Sequence, residues 1–226
     1  MIVISVRHTG TMFYVWYLSR HPNVKDRPVD KTYDGMEGKG TYANGNVVHS
    51  HIGERPGEYD NNLKQWAEEN RAVIPLRDPM LSIITHYRRN KKNLLVLLEK
   101  LRNSGEFVTD GFKLFSEMDP NKVLFMPVDQ YWSVQERFNR LVSLEKHCDI
   151  KHDEAWTRSY SNNWHIRNSV GDSEEKKAYL KGNVEAVWQA YPQDVEYLLD
   201  NAKIIQPFLE KHGYNNLPWF NWRPSM

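Results

Sequence analysis

The chain has little cysteine: Cys148 is the single one among 226 residues. That excludes an internal disulfide framework and a cysteine-rich zinc site, and it fits a reducing compartment. Cys148 itself reads as a small apolar residue near a helix end. Net charge is equally scarce, with 30 Lys and Arg against 29 Asp and Glu. No global field therefore calls for nucleic acid or an anionic membrane as partner, and any anion has to be recognised locally. No apolar run approaches the length of a membrane span. The opening Met1-Ile-Val-Ile-Ser-Val6 is too short for the hydrophobic region of a signal peptide and lacks a small-residue cleavage site. These absences predict a soluble, cytoplasmic protein. No internal repeat or low-complexity tract is present, and the length suits one large core, so residues 1–226 are read as a single domain.

What is present is an alternation of strands and helices. Residues 1–6 form an apolar, β-branched run that stops at Arg7-His-Thr-Gly10, after which Met12 to Leu18 reads as a buried helix rich in aromatics. Residues 21–45, with Pro22, Pro28 and several glycines, read as an irregular excursion that ends at a short strand around Asn46 to Ser50. Asp60 to Glu69 suits a helix, and Ala72-Val-Ile-Pro-Leu76 a third strand. Asp78-Pro79 then marks a helix start, with aspartate at the N-cap and proline at the first helical position. This helix is expected to run into Leu94-Leu-Val-Leu-Leu98, with a break at Gly105, a further helix from Phe107 to Glu117 and a fourth strand from Lys122 to Met126. In the last third, Val195, Leu198, Leu199, Ala202, Ile205, Phe208 and Leu209 recur at helical spacing, and Gly213 follows as a stop. The terminal Pro218-Trp-Phe-Asn-Trp-Arg223 is expected to dock on the domain. The fold class is therefore α/β: a three-layer α/β/α arrangement with a mostly parallel sheet and a helical C-terminal third, ligands sitting beyond the carboxyl ends of the strands.

Three groups of residues fall at such ends. In the first loop, Arg7, His8, Thr9, Gly10, Thr11 and Met12 lie between a buried strand and a helix, where free backbone N–H groups and the positive end of a helix favour a phosphate. Gly10 allows close approach of the backbone, and the threonine hydroxyls, Arg7 and His8 add donors and positive charge. The ATP- and GTP-binding loop ends in Gly-Lys-Ser/Thr, whereas Gly10 is followed by Thr11 and Met12, which disfavours a kinase. The second group is Val73-Ile-Pro-Leu-Arg77-Asp-Pro79 with Ser82, Thr85, His86 and Tyr87: a strand ending in arginine, whose forked donors suit phosphate, entering a helix with hydroxyls in its first turns. The third is Val47-Val-His49-Ser-His51. A zinc site here would need further ligands that no His-x-x-x-His or Cys pattern supplies, so no metal is expected.

Together these groups resemble the sulfotransferases that use 3′-phosphoadenosine-5′-phosphosulfate (PAPS). Val6-Arg7-His8-Thr9-Gly10-Thr11 is similar to the family's 5′-phosphosulfate loop, roughly Tyr-Pro-Lys-Ser-Gly-Thr-Thr-Trp in cytosolic members and Val-Arg-Lys-Gly-Gly-Thr-Arg in heparan-type members. Arg77-Asp-Pro79 resembles its 3′-phosphate motif, in which Thr85 takes the place of the family's serine. Val47-Val-His49-Ser-His51 is similar to the Lys-Thr-His segment that supplies the catalytic base. Arg167-Asn-Ser-Val-Gly171-Asp172 resembles the late Arg-Lys-Gly-x-x-Gly motif, without its lysine and first glycine. Val123 to Asp129 and Tyr191-Pro-Gln-Asp194 are similar to further family segments.

The resemblance implies a P-loop NTPase-like sulfotransferase fold and transfer of a sulfuryl group from PAPS to a hydroxyl or amine of a carbohydrate or small molecule. It implies that Arg7, His8, Thr9, Gly10, Thr11, Met12, Arg77, Thr85 and Arg167 bind the donor and that His51 is the base, a role suited to a side chain that titrates near neutrality. Arg7 or His8 would neutralise the leaving oxygen. The chain departs from the family in carrying His8 where both loop patterns place lysine. An ATP-dependent kinase and a non-catalytic nucleotide-binding protein are the alternatives in other classes. The basic run Arg88-Arg89-Asn-Lys91-Lys92 reads as a solvated helix face. Because a histidine charge at residue 8 is lost by deprotonation, transfer activity is expected to fall as pH rises through neutrality, which a pH–rate profile checks.

Overall fold

Residues 2–6 are apolar except for Ser5, and a strand of this kind has to be covered on both faces. A computed structural model describes residues 1–6, 11–24, 41–44, 47–52, 61–90, 104–128, 133–163 and 173–224. In it Ile2–Val6 (β1) is the central strand of a five-stranded sheet. Thr41–Asn44 (β2), Val47–Ile52 (β3), Val73–Leu76 (β4) and Leu124–Pro127 (β5) complete the sheet in the order β2-β3-β1-β4-β5. All neighbours are parallel except β2, which pairs antiparallel with β3.

Alternation along the strands divides the interior in two. Ile2, Ile4, Ile74, Leu76 and Phe125 point to one core, shared with Met80 and Ile83 of Pro79–Asn90 (α3) and Phe112 of Ser104–Ser116 (α4). Asn61–Glu69 (α2) adds Ala67 to that core. Val3, Val73 and Met126 point to the other, shared with Tyr14 and Leu18 of Thr11–Ser19 (α1) and Leu141 and Leu144 of Val134–His147 (α5). The sheet thus carries helices on both faces, as the alternation of strands and helices predicts. Helix α1 is apolar nearly all round, which is why Tyr14, Val15, Tyr17 and Leu18 are all fully buried.

One ladder is short for a reason written in the sequence. The carbonyls of Ala72 and Leu76 accept from Leu124 and Val128 on the β5 side. Residues 73 and 75 therefore turn their backbone groups toward β1, and Pro75 has no N–H to offer there. The β1–β4 register is accordingly recorded at Val3 beside Val73 and does not continue to the carboxyl ends.

The C-terminal third is helical: Glu154–Asn162 (α6), Glu174–Leu180 (α7), Glu185–Ala190 (α8), Pro192–Asp200 (α9) and Ala202–Lys211 (α10). The apolar stripe from Val195 to Leu209 is core, but it spans two helices that meet at Asn201. Gly213 stops α10 with φ +89°, a conformation glycine adopts without strain, and Tyr214 N–H returns to the Leu209 carbonyl at 3.0 Å. The tail then docks, with Trp219 at 0% and Phe220 at 4% exposure.

Two expectations need correction. The stretch 21–45 is not irregular throughout, since β2 lies within it and pairs antiparallel with β3. Gly105 does not break the chain ahead of a helix but lies in the first turn of α4, where the helix tolerates it because its N–H groups have no intrahelical partner to lose. Leu94 to Leu98 and Asp129 lie outside the described residues. Among the described residues no helix is long and apolar enough to cross a membrane.

The core assignment can be tested with a pair of truncations on adjoining helices. Leu198→Ala should cost about 2–5 kcal/mol, because Leu198 is fully buried. Ile204→Ala should change stability by no more than about 0.5 kcal/mol, because Ile204 is 49% exposed. Equilibrium urea unfolding of both variants measures the contrast; equal losses would contradict it.

Candidate functional site

From β1 the chain adds β3 on one side of the strand and later places β4 on the other. Such a reversal opens a crevice beyond the carboxyl ends of the strands, the usual place for a ligand in an open α/β sheet. In the parallel register Ser5 lies beside His51 and Val6 beside Ile52, so His51 is the penultimate residue of β3 at the carboxyl end of β1. Thr11 and Met12 open α1 at the same end. Arg77 and Asp78 leave β4 there and lead into α3. Arg7, His8, Thr9, Gly10 and Arg167 lie outside the described residues, as do the side chains of Thr11, Met12, His49 and His51.

The corner after β4 is described in full. Arg77 is half-buried, and its Nη1 donates to Thr85 Oγ1 at 3.4 Å. Residues eight apart in sequence meet because Thr85 sits in the second turn of α3, on the side facing the strand end. Thr85 is 2% exposed and donates to the Leu81 carbonyl at 2.7 Å. Its hydroxyl hydrogen can rotate toward an incoming oxygen while the oxygen atom stays beside Arg77. Pro79 is the first residue of α3, and Asp78 caps it, Oδ1 accepting Met80 N–H at 2.9 Å, as the sequence predicts. The Asp78 carboxylate is buried and reaches much further: Trp219 Nε1 donates to Oδ1 at 3.2 Å and the Tyr179 hydroxyl donates to Oδ2 at 2.5 Å. Tyr214 donates its hydroxyl to the carbonyl of Leu76 at 2.8 Å. A guanidinium beside a hydroxyl offers the types of donor that an oxyanion accepts from.

A second constellation escaped the sequence reading. Glu145 of α5 is 1% exposed. Its Oε1 receives the Tyr17 hydroxyl at 2.6 Å, Thr157 Oγ1 at 2.7 Å and His21 Nε2 at 2.9 Å, and its Oε2 meets His152 Nδ1 at 2.5 Å. His21 Nδ1 accepts Asn23 N–H at 3.2 Å, which leaves the ring hydrogen on Nε2, directed at Glu145. Burial, the largest single effect, pushes the carboxyl up, but hydrogen bonds from His21, Tyr17, Thr157 and His152 together outweigh it and hold Glu145 at about 2. Burial first, and then the Glu145 contact, pushes the Tyr17 phenol far above its ordinary range. The cluster ties the far end of α1 to α5 and α6 and is structural in character. No sequence spacing announces it, because its members are separated by up to 140 positions. Among the described residues no group of three or more His, Cys, Asp or Glu could hold a metal ion.

No family model, curated protein or solved structure matches the chain.

Two acid windows follow. The Glu145 carboxyl has an ordinary value of 4.5 and a folded value of about 2, so its contribution is complete above pH 4.5 and is lost as pH falls toward 2. His212 packs against Phe125 and Phe208, ring centroids 4.6 and 4.8 Å away. Burial, then Lys211 and Arg140, lowers it from 6.5 to about 4. The unfolded chain then binds the proton first, and stability falls as pH drops from 6.5 to 4. Urea unfolding at a series of pH values should show both slopes; His212→Gln should flatten the upper and Glu145→Gln the lower, and slopes unchanged in the variants would refute the assignment.

Proposed function

We propose that the protein is a PAPS-dependent sulfotransferase with a P-loop NTPase-like sulfotransferase fold. The observation that carries this reading is the Arg77–Thr85 pair, 3.4 Å apart at the carboxyl end of β4. It is supported by the reversal of strand order about β1, which directs a ligand to that edge, and by the position of His51 on the other neighbour of β1.

In this reading Arg77 and Thr85 take the 3′-phosphate of PAPS, and Arg7, His8, Thr9, Gly10, Thr11 and Met12 take the 5′-phosphosulfate, with Arg167 closing over the nucleotide. PAPS is a substrate that supplies the sulfuryl group. A hydroxyl or amine of a carbohydrate or small-molecule acceptor attacks sulfur in line, and His51 removes the acceptor's proton. The bond from sulfur to the bridging oxygen breaks, and its electron pair leaves on adenosine 3′,5′-bisphosphate, with Arg7 or His8 neutralising the charge. Catalysis is then mainly positioning and charge stabilisation. The near-neutral chain with its one cysteine suits action in the cytoplasm.

A ligand that binds only the native state raises the melting temperature. Adenosine 3′,5′-bisphosphate should therefore stabilise the protein in a thermal-shift assay, and ATP with magnesium should do so less. Arg77→Ala should weaken the bisphosphate by about 10- to 100-fold, the loss of a charge-assisted contact. A response to ATP with magnesium alone would overturn the proposal. His51→Ala should abolish transfer of labelled sulfate; transfer at the parental rate would remove His51 from the base role.

A further inference from the structure

We infer that Arg137 of α5 binds an oxyanion of the acceptor, a carboxylate or a sulfate group, at the carboxyl edge of the sheet. The place of this cation follows from the packing of the helices alone; that its ligand is the acceptor rests on the sulfotransferase reading.

Two ties fix where Arg137 stands. Its Nη1 donates to the Ser161 carbonyl at 3.5 Å. Tyr160, the residue before Ser161, sets its ring 5.9 Å from that of Phe13 in the first turn of α1. Further along α5, Glu145 meets Thr157 of α6 and Tyr17 of α1. Helices α1 and α5 therefore run side by side in one direction, and α6 runs against both. Because α1 opens at the carboxyl edge, the Arg137 end of α5 is the edge end, about 12 Å along the helix from Glu145. Strand β5 leads to the same place: it lies parallel to β4 and ends at Pro127, whose carbonyl accepts the Tyr14 hydroxyl at 3.2 Å. Helix α5 packs on the face of the sheet away from α3, so Arg137 and Arg77 flank the edge from opposite faces.

The charge at this position is poorly matched. Arg137 is half-buried. Among the described residues its polar partner is the Ser161 carbonyl, at a distance longer than an ordinary hydrogen bond of this kind, and its Nε is buried with no partner. The carboxylate beside it in sequence, Glu136, closes the capping box of α5, its Oε2 accepting the Ser133 N–H and hydroxyl at 2.8 Å each. Arg158 of α6 is by contrast supplied twice, by Glu154 at 2.6 Å and by the Phe138 ring, whose centroid lies 5.0 Å from its guanidinium carbon. A carbonyl near the end of α6 attracts a cation, but one long contact uses little of a guanidinium that carries five donors. A half-buried cation without a counter-charge costs free energy, and an oxyanion offsets that cost with short, charge-assisted bonds. The donor does not need this group. PAPS carries its anions at the 3′-phosphate, given to Arg77 and Thr85, and at the 5′-phosphosulfate, given to the loop after β1. The other molecule in the crevice is the acceptor, and Arg137 then selects acidic acceptors over neutral ones.

The test uses the full chain saturated with adenosine 3′,5′-bisphosphate, so that the anion sites of the donor are filled. Acetate and methyl sulfate are titrated against chloride at constant ionic strength, the first probing for a carboxylate and the second for a sulfate. The buried Nε–H of Arg137 is shielded from exchange with water, and its resonance is assigned by its loss in Arg137→Lys. It should move saturably with at least one of the two anions, and the tighter of them names the acceptor's group. In a thermal-shift assay the same anion should raise the melting temperature beyond chloride. Arg137→Gln should weaken that anion by about 10-fold or more, the scale of a lost charged hydrogen bond, with bisphosphate binding at parental strength. A resonance that moves with neither anion, or an anion-dependent stabilisation equal in Arg137→Gln and the parent, would overturn the inference and leave Arg137 as a cap on the end of α6. Equal loss of anion and bisphosphate binding would assign Arg137 to the donor and overturn it as well. If Arg137→Gln does not fold, titration of the parental resonance decides alone. A parent that bisphosphate does not stabilise, with its anion response intact, would sink the sulfotransferase reading alone.

Discussion

Burial of β1 on both faces is the constraint on which the remaining structure depends. Ile2 and Ile4 enter one core and Val3 the other, so helices have to cover both sides of the sheet. Polar chemistry is excluded from the middle of the strand and displaced to its end. There the topology reverses, and the ladder between β1 and β4 has already stopped because Pro75 has no N–H on that side. The edge that a ligand would use is a consequence of how the strand is buried.

The Arg77 corner shows how that edge is stiffened. An arginine at a strand end is ordinarily mobile, its long side chain carrying considerable rotamer entropy. Here the preceding carbonyl and the following carboxylate are held by Tyr214, Tyr179 and Trp219, and the guanidinium touches a buried threonine. The aromatic C-terminal segment therefore does two things at once. It fills the core beneath α3, and it supplies donors to the buried carboxyl group of Asp78. On the opposite face Glu145 plays a similar part for α1, which enters the sheet edge at one end and is tied at the other by Tyr17 and, just beyond it, His21. Each face of the sheet is thus joined to a helix that begins at the carboxyl edge through one buried carboxylate supplied with several donors.

Much of the architecture was legible because it rests on short-range rules. The aspartate and proline before α3 have one geometrically sensible use, and the apolar spacing from Val195 to Leu209 can only be a buried helical face. The departures are local as well. β2 lies in a glycine-rich stretch and carries no apolar run, and the break between α9 and α10 leaves the apolar period intact. The candidate site was legible only as strand ends. Motif spacing nominated Arg77 and Thr85, whose side chains lie 3.4 Å apart. Nothing in the order of residues announced Tyr179, Tyr214 and Trp219 as neighbours of that corner, or His21 and His152 as neighbours of Glu145.

The sequence by itself determined the α/β class, the buried first strand, the capped start of α3 and the arginine that precedes it, since each follows from hydrophobic period or from the stereochemistry of a few adjacent residues. Only the tertiary structure decided which distant side chains meet Asp78 and Glu145, and so what holds the edge of the sheet rigid. A buried carboxylate must find donors wherever the packed chain brings them. Sequence distance carries no information about that meeting, because packing of the helices against the two faces sets it.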